Sequence, residues 1–96
     1  MGLHEYLNEN GYYALTNING KLCGLHRFAF TTGLVVGLDR NGYERRYCFD
    51  KQNDALESLL TWDGIDHPSG NWIKCKGTYK DFTGDIPNPN YINTDV

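Results

Sequence analysis

Cys23, Cys48, Cys75, His26 and His67 have the side chains best able to do chemistry in this chain, and they set the first question. Three thiolates and one imidazole are a zinc-type donor set, provided that they converge. Cys23 and His26 lie three apart in a strand-like segment, which puts them on opposite faces unless Gly24 introduces a bulge. No C-x-x-C pair supports a metal, so no cofactor or metal is expected. A nucleophilic cysteine needs exposure and nearby positive charge, whereas these three sit in apolar segments that suit reduced core thiols. The two serines, Ser58 and Ser69, lack a G-x-S-x-G setting. Asp63, Asp66 and His67 could form an acid/base group. Asp63-Gly64 and His67-Pro68 are also ordinary turn dipeptides, and capping a turn accounts for both. The expectation is a protein that is not an enzyme.

A second pattern suits binding. Tyr43, Arg45, Tyr47 and Phe49 alternate with Glu44, Arg46 and Cys48, and Trp72, Lys74 and Lys76 follow the same rhythm later. Aromatic rings interleaved with bases can stack on nucleobases and neutralise phosphates. They can equally form the core of a small sheet, with arginine stems covering apolar surface. The candidate binding residues are Tyr43, Arg45, Arg46, Tyr47, His67, Asn71, Trp72, Lys74 and Lys76.

The net charge of −3 and pI near 5.4 argue against a protein that coats nucleic acid. Charge is uneven, however. Residues 21–50 carry five bases against three acids, while residues 81–96 carry Asp81, Asp85 and Asp95 and no base. Any contact with an anion is expected to be local. Ninety-six residues, 40% of them hydrophobic, make a single small domain over 1–96. No apolar run approaches the roughly 18 residues of a membrane span, and the start of the chain lacks the pattern of a signal peptide. A soluble protein of the cytoplasm is expected.

These side chains have to be positioned by short elements. Leu3, Tyr6 and Leu7 allow one helical turn before Asn10-Gly11. From Tyr12 the period becomes two. Residues 12–18 and 21–30 read as strands around Asn19-Gly20, a strong hairpin signal because both turn residues take positive φ. Thr31-Thr32-Gly33 reads as a turn into Leu34–Leu38, a strand apolar on both faces and therefore central. Asn41-Gly42 suggests a second hairpin, returning through 43–49. Asp50 is placed to cap a helix over 51–62, with Ala55, Leu56, Leu59 and Leu60 at helical spacing and Gly64 ending it. Residues 72–76 form a late strand, with Ile73 and Cys75 inward and Trp72, Lys74 and Lys76 outward. Residues 78–96, rich in Asn, Asp and Pro, read as an irregular tail. The sum is α+β: an antiparallel sheet of four to five strands with one α-helix packed on one face.

Taken together, Phe30-Thr31-Thr32-Gly33-Leu34, Arg46-Tyr47-Cys48, Trp62-Asp63-Gly64, Pro68, Gly70, Trp72-Ile73-Lys74, Lys76-Gly77 and Asn88-Pro89-Asn90 resemble small accessory proteins of bacteriophages and prophages, over residues 23–90. That group includes inhibitors of bacterial defence, anti-CRISPR proteins among them. The resemblance implies a non-catalytic partner of a host protein or ribonucleoprotein complex in the bacterial cytoplasm. Open sheet edges would also allow a homo-oligomer. The competing expectation is a small nucleotide- or nucleic-acid-binding module that uses the Tyr/Arg face.

Overall fold

The computed structural model describes residues 2–76, 85–88, 90 and 91. Helix α1 (Leu3–Glu9) leads into strands β1 (Tyr12–Ile18), β2 (Lys21–Arg27), β3 (Thr32–Val36) and β4 (Arg45–Phe49). Helix α2 (Gln52–Thr61) follows, then β5 (Trp72–Lys76) and β6 (Asp85–Pro87). The six strands form one antiparallel sheet in chain order, β1 to β6. The α+β class is as the sequence implies. The strand and helix numbers exceed expectation because Leu3–Glu9 extends to a full helix and Asp85–Pro87 adds an edge strand.

Alternation along the strands produces two apolar layers. Cys23, Leu25, Leu34, Val36, Tyr47, Phe49, Trp72 and Cys75 point toward α2, which contributes Ala55 and Leu59. On the other face Leu7 of α1 meets Val35 and Leu38, with Leu15, Leu22 and Tyr43 packed around them. Strand β3 lies between β2 and β4 and is buried throughout, in keeping with its apolar run. Each fully buried aliphatic or aromatic side chain contributes about 1.5–3 kcal/mol.

Local chemistry explains both the agreements and the departures. Asn19 and Gly20 take φ of 51° and 83°, as a two-residue hairpin requires. The bulge expected at Gly24 lies across the ladder from it. Ala14 takes φ of 53° between the paired residues Tyr13 and Thr16, while Gly24 leaves room for the Leu15 side chain. The next turn is Phe28–Thr31, closed by the Phe28 amide donating to the Thr31 carbonyl, so Thr32 and Gly33 belong to β3. The second hairpin turns on Arg40 and Asn41 inside a bridge between Asp39 and Gly42, with Asp39 Oδ1 accepting from the Asn41 amide. Asp50 does not cap α2. Lys51 occupies that position without a side-chain cap, and the Asp50 carboxylate accepts from the Tyr91 hydroxyl. Trp62 ends α2 by turning to extended backbone, and Gly64 lies beyond it in the following loop. No helix of the described residues is long and apolar enough to cross a membrane.

Of the tail expected to be irregular over 78–96, 85–87 form β6, and 78–84, 89 and 92–96 lie outside the described residues.

Candidate functional site

Residues 62–71 form an arm between α2 and β5, and its backbone is held at several points. Asp63 Oδ1 accepts from the Ile65 amide at 2.9 Å, and Trp62 Nε1 donates to the Ile65 carbonyl at 3.2 Å. Gly64, Asp66 and Gly70 take φ of 85°, 56° and 115°, which lets the chain reverse within a few residues. The Ser58 hydroxyl donates to the Ser69 carbonyl. Trp72 Nε1 donates to the Pro68 carbonyl at 2.8 Å, and Asn88 Nδ2 to the Gly70 carbonyl at 3.1 Å. Asp63 is thereby used as a turn cap. The acid/base group suggested by Asp63, Asp66 and His67 has no hydrogen bond within it among the described residues.

Tyr47 is the hub beneath the arm. Its ring is fully buried and meets Trp62, His67 and Trp72 edge-on at centroid distances of 5.9, 5.6 and 5.2 Å. Such edge-to-face pairs add about 0.5–1.5 kcal/mol each beyond burial. Arg45 Nη1 donates to the Tyr47 hydroxyl at 2.8 Å, and that hydroxyl lies 2.8 Å from His67 Nδ1. Burial raises the Tyr47 pKa, with the Arg45 hydrogen bond opposing it. The phenol therefore stays protonated at neutral pH, with Arg45 and His67 as its polar neighbours. Arg45 is in turn held charged, first by its bond to Tyr47.

Above this cluster runs an open groove of about 740 Å³. Pro68 and Trp72 are its buried parts, and Ile86 and Pro87 of β6 form the facing wall. His67, Ser69 and Asn90 supply exposed polar groups, and Asn88 is buried at the base of its turn. Asn88 is held by its own turn, with Oδ1 accepting from the Asn90 amide.

Four of the nine sequence candidates, Arg45, Tyr47, His67 and Trp72, come together here. Trp72 is buried, against the outward orientation expected from strict alternation. The register shifts between Cys48 and Phe49, so that Trp72 pairs with Phe49 and Lys74 with Cys48. Ile73 is the extra residue, and Trp72 rotates onto the helix side with Cys75.

The other five candidates lie elsewhere. Asn71 is exposed beside a hollow of about 170 Å³ lined also by Asp54, Glu57 and Thr61. Tyr43, Arg46, Lys74 and Lys76 belong to the α1 side of the sheet. The single Tyr/Arg face expected from 43–49 is thus divided: Tyr47 and Phe49 are core, and Arg46 is on the reverse. There the Arg46 guanidinium lies 4.6 Å over the Phe28 ring and donates to the Tyr43 hydroxyl at 3.2 Å. Residues that sequence reasoning missed are Pro68, Ile86, Pro87, Asn88 and Asn90. Asn88-Pro89-Asn90 carried a turn signal, but nothing in the spacing showed which element it would face.

The cysteines do not converge. Cys23 and Cys75 face α2 from β2 and β5, with two strands between them, while Cys48 is on the reverse face. Burial pushes the Cys23 thiol up, away from the thiolate a nucleophile needs. No group of three or more His, Cys, Asp or Glu among the described residues could hold a metal. Comparison with known proteins finds no matching family model, no similar curated protein and no similar solved structure.

Proposed function

We propose that this chain is a non-catalytic protein-binding module that takes an extended, largely apolar segment of a partner into the groove between the 67–70 arm and β6. The observation that carries this reading is the composition and support of the groove. Its walls are Pro68, Trp72, Ile86 and Pro87, its polar side chains are an imidazole, a hydroxyl and two amides, and its backbone is pinned by Trp72, Ser58 and Asn88. A concave apolar surface with a few fixed polar groups is the usual form of a recognition site. Amides and one imidazole can orient a peptide backbone without committing the site to acid/base chemistry.

The narrower role, a phage- or prophage-encoded inhibitor of a host complex acting in the bacterial cytoplasm, rests on the motif resemblance described above. A second reading, nucleic-acid binding, draws on Arg46, Lys74 and Lys76, which share the reverse face of β4 and β5. Its weakness is the missing stacking platform. Tyr47 and Phe49 are fully buried, and Phe28 lies between Gly33 and Arg46.

Selection from a displayed peptide library tests the first reading. Enriched sequences should bind the wild type and lose at least tenfold in affinity toward Ile86→Arg, whose side chain is already exposed in the parent. Failure to enrich any sequence, or enrichment indifferent to Ile86→Arg, would sink it. Oligonucleotide binding that falls steeply with salt and is lost in Arg46→Ala would favour the second.

A further inference from the structure

The chain holds three Asn-Gly dipeptides, at 10–11, 19–20 and 41–42, and the fold treats them differently. In such a pair the backbone nitrogen can attack the asparagine side chain, because glycine has no Cβ to screen it. The attack needs a glycine amide that is free to turn toward the side chain. At 10–11 both groups are engaged. Asn10 Nδ2 donates to the Tyr6 carbonyl at 2.7 Å, the Gly11 amide donates to the Asn8 carbonyl at 3.1 Å, and the His26 ring packs on Gly11. At 41–42 the Gly42 amide donates to the Asp39 carbonyl and the Asn41 amide to Asp39 Oδ1, which holds the backbone on both sides of the Asn41 side chain. At 19–20 neither the Asn19 side chain nor the Gly20 amide has a hydrogen-bond partner among the described residues, and the space around Gly20 is open. The ladder ends at the Ile18–Lys21 pair, so the peptide between Asn19 and Gly20 can rotate without breaking it.

We propose that Asn19 is a deamidation site, and that its conversion loosens the arm that follows α2. Hydroxide takes the Gly20 amide proton, and the nitrogen forms a bond to Asn19 Cγ. The Cγ–Nδ2 bond breaks, and ammonia leaves with a proton from water, which restores the hydroxide. The resulting succinimide adds one water. Opening at Cγ gives aspartate. Opening at the main-chain carbonyl gives isoaspartate, in which the backbone runs through Cβ and Cγ and is one atom longer. A two-residue turn has no slack for that atom. Gly64 transmits the change, since it lies against Asn19 Cβ and the Ile18 side chain with no room for a side chain of its own. Gly64 is also where the arm first takes positive φ, at 85°. The modified residue is no part of the groove, so the proposal stands whether or not the groove takes a partner.

Peptide mapping of the full chain, aged in warm, mildly alkaline buffer, tests this. Conversion at Asn19 should lead that at Asn10 and Asn41 by about fivefold or more, because the other two dipeptides must first open. In urea, where the fold is lost, the three should convert at similar rates. Amide exchange over residues 62–66 should be faster in the isoaspartate form than in Asn19→Asp, which carries the new charge without the extra atom. Equal rates at the three sites in the folded chain, or a lead by Asn10 or Asn41, would overturn the assignment. A lead at Asn19 that persists in urea would show that the fold does not select it. Exchange over 62–66 that matches Asn19→Asp would remove the link to the arm.

Discussion

The two faces of the sheet solve the same burial problem with different materials. On the α2 side, large rings and branched chains interdigitate, and Tyr47, Phe49, Leu25 and Leu34 have no solvent exposure. On the α1 side, β2 and β3 present Gly24 and Gly33, so the layer is filled by side chains arriving from elsewhere. Leu15 and Leu38 close over Gly24, and the Phe28 ring lies on Gly33 with Arg46 above it. Two polar atoms of this layer, His26 Nδ1 and Arg46 Nε, are buried with no partner among the described residues. Each such atom costs about 1–3 kcal/mol. The first face is a core that also supports a groove. The second is thinner and tolerates charge.

Substitutions should separate the two faces, and the largest effect belongs to the α2 side. Phe49→Ala should lower unfolding free energy by about 3–5 kcal/mol in a urea titration, since its cavity is walled on all sides. Gly33→Val, on the α1 side, puts a side chain where the Phe28 ring lies. It should cost less, about 1–3 kcal/mol, because Phe28 belongs to a turn that can give way. An equal loss at both sites would erase the distinction.

Tyr47→Phe sharpens it further. At neutral pH it should cost about 1 kcal/mol, because Arg45 and His67 lose one partner but can both reach water. Its pH signature is more specific. Burial raises the Tyr47 pKa above its ordinary 10.0, so the unfolded chain ionises first. The stabilising contribution of the neutral phenol is complete below that value and is lost as pH climbs through the folded-state pKa. Denaturant midpoints followed by tyrosinate absorbance should therefore decline more steeply above about pH 10 in the wild type than in Tyr47→Phe. Ala14→Gly should have the smallest effect, a gain of about 0.5 kcal/mol in the same titration. It relieves a left-handed alanine while adding freedom to the unfolded chain.

Much of this arrangement is legible in the residues. The Asn19-Gly20 turn, the centrality of Leu34–Val36 and the apolar stripe of α2 follow from periodicity and turn chemistry. What escapes is whatever depends on register. One extra residue at Ile73 turns Trp72 from outside to inside, and no alternation count detects a bulge. The same holds for Tyr47: its spacing was visible as a binding motif, but only the placement of α2 makes it a buried hub. Asp50 had the chemistry of a helix cap, and Tyr91, distant in sequence, took its carboxylate instead. The groove combines an arm and an edge strand whose meeting lies outside the reach of local pattern.

Chain-order pairing of all six strands has a kinetic consequence. β1 to β4 need only short turns to zip together, so their closure is entropically light. β5 cannot join until residues 50–71 have been threaded through α2 and the arm. The last third of the molecule should therefore assemble as a separate, later unit and also open first under native conditions. Stopped-flow refolding should show Leu25→Ala slowing the folding limb more than Cys75→Ala, whose effect falls mainly on unfolding. The groove proposed as a recognition site would then belong to the portion of the protein that forms last and lets go most easily.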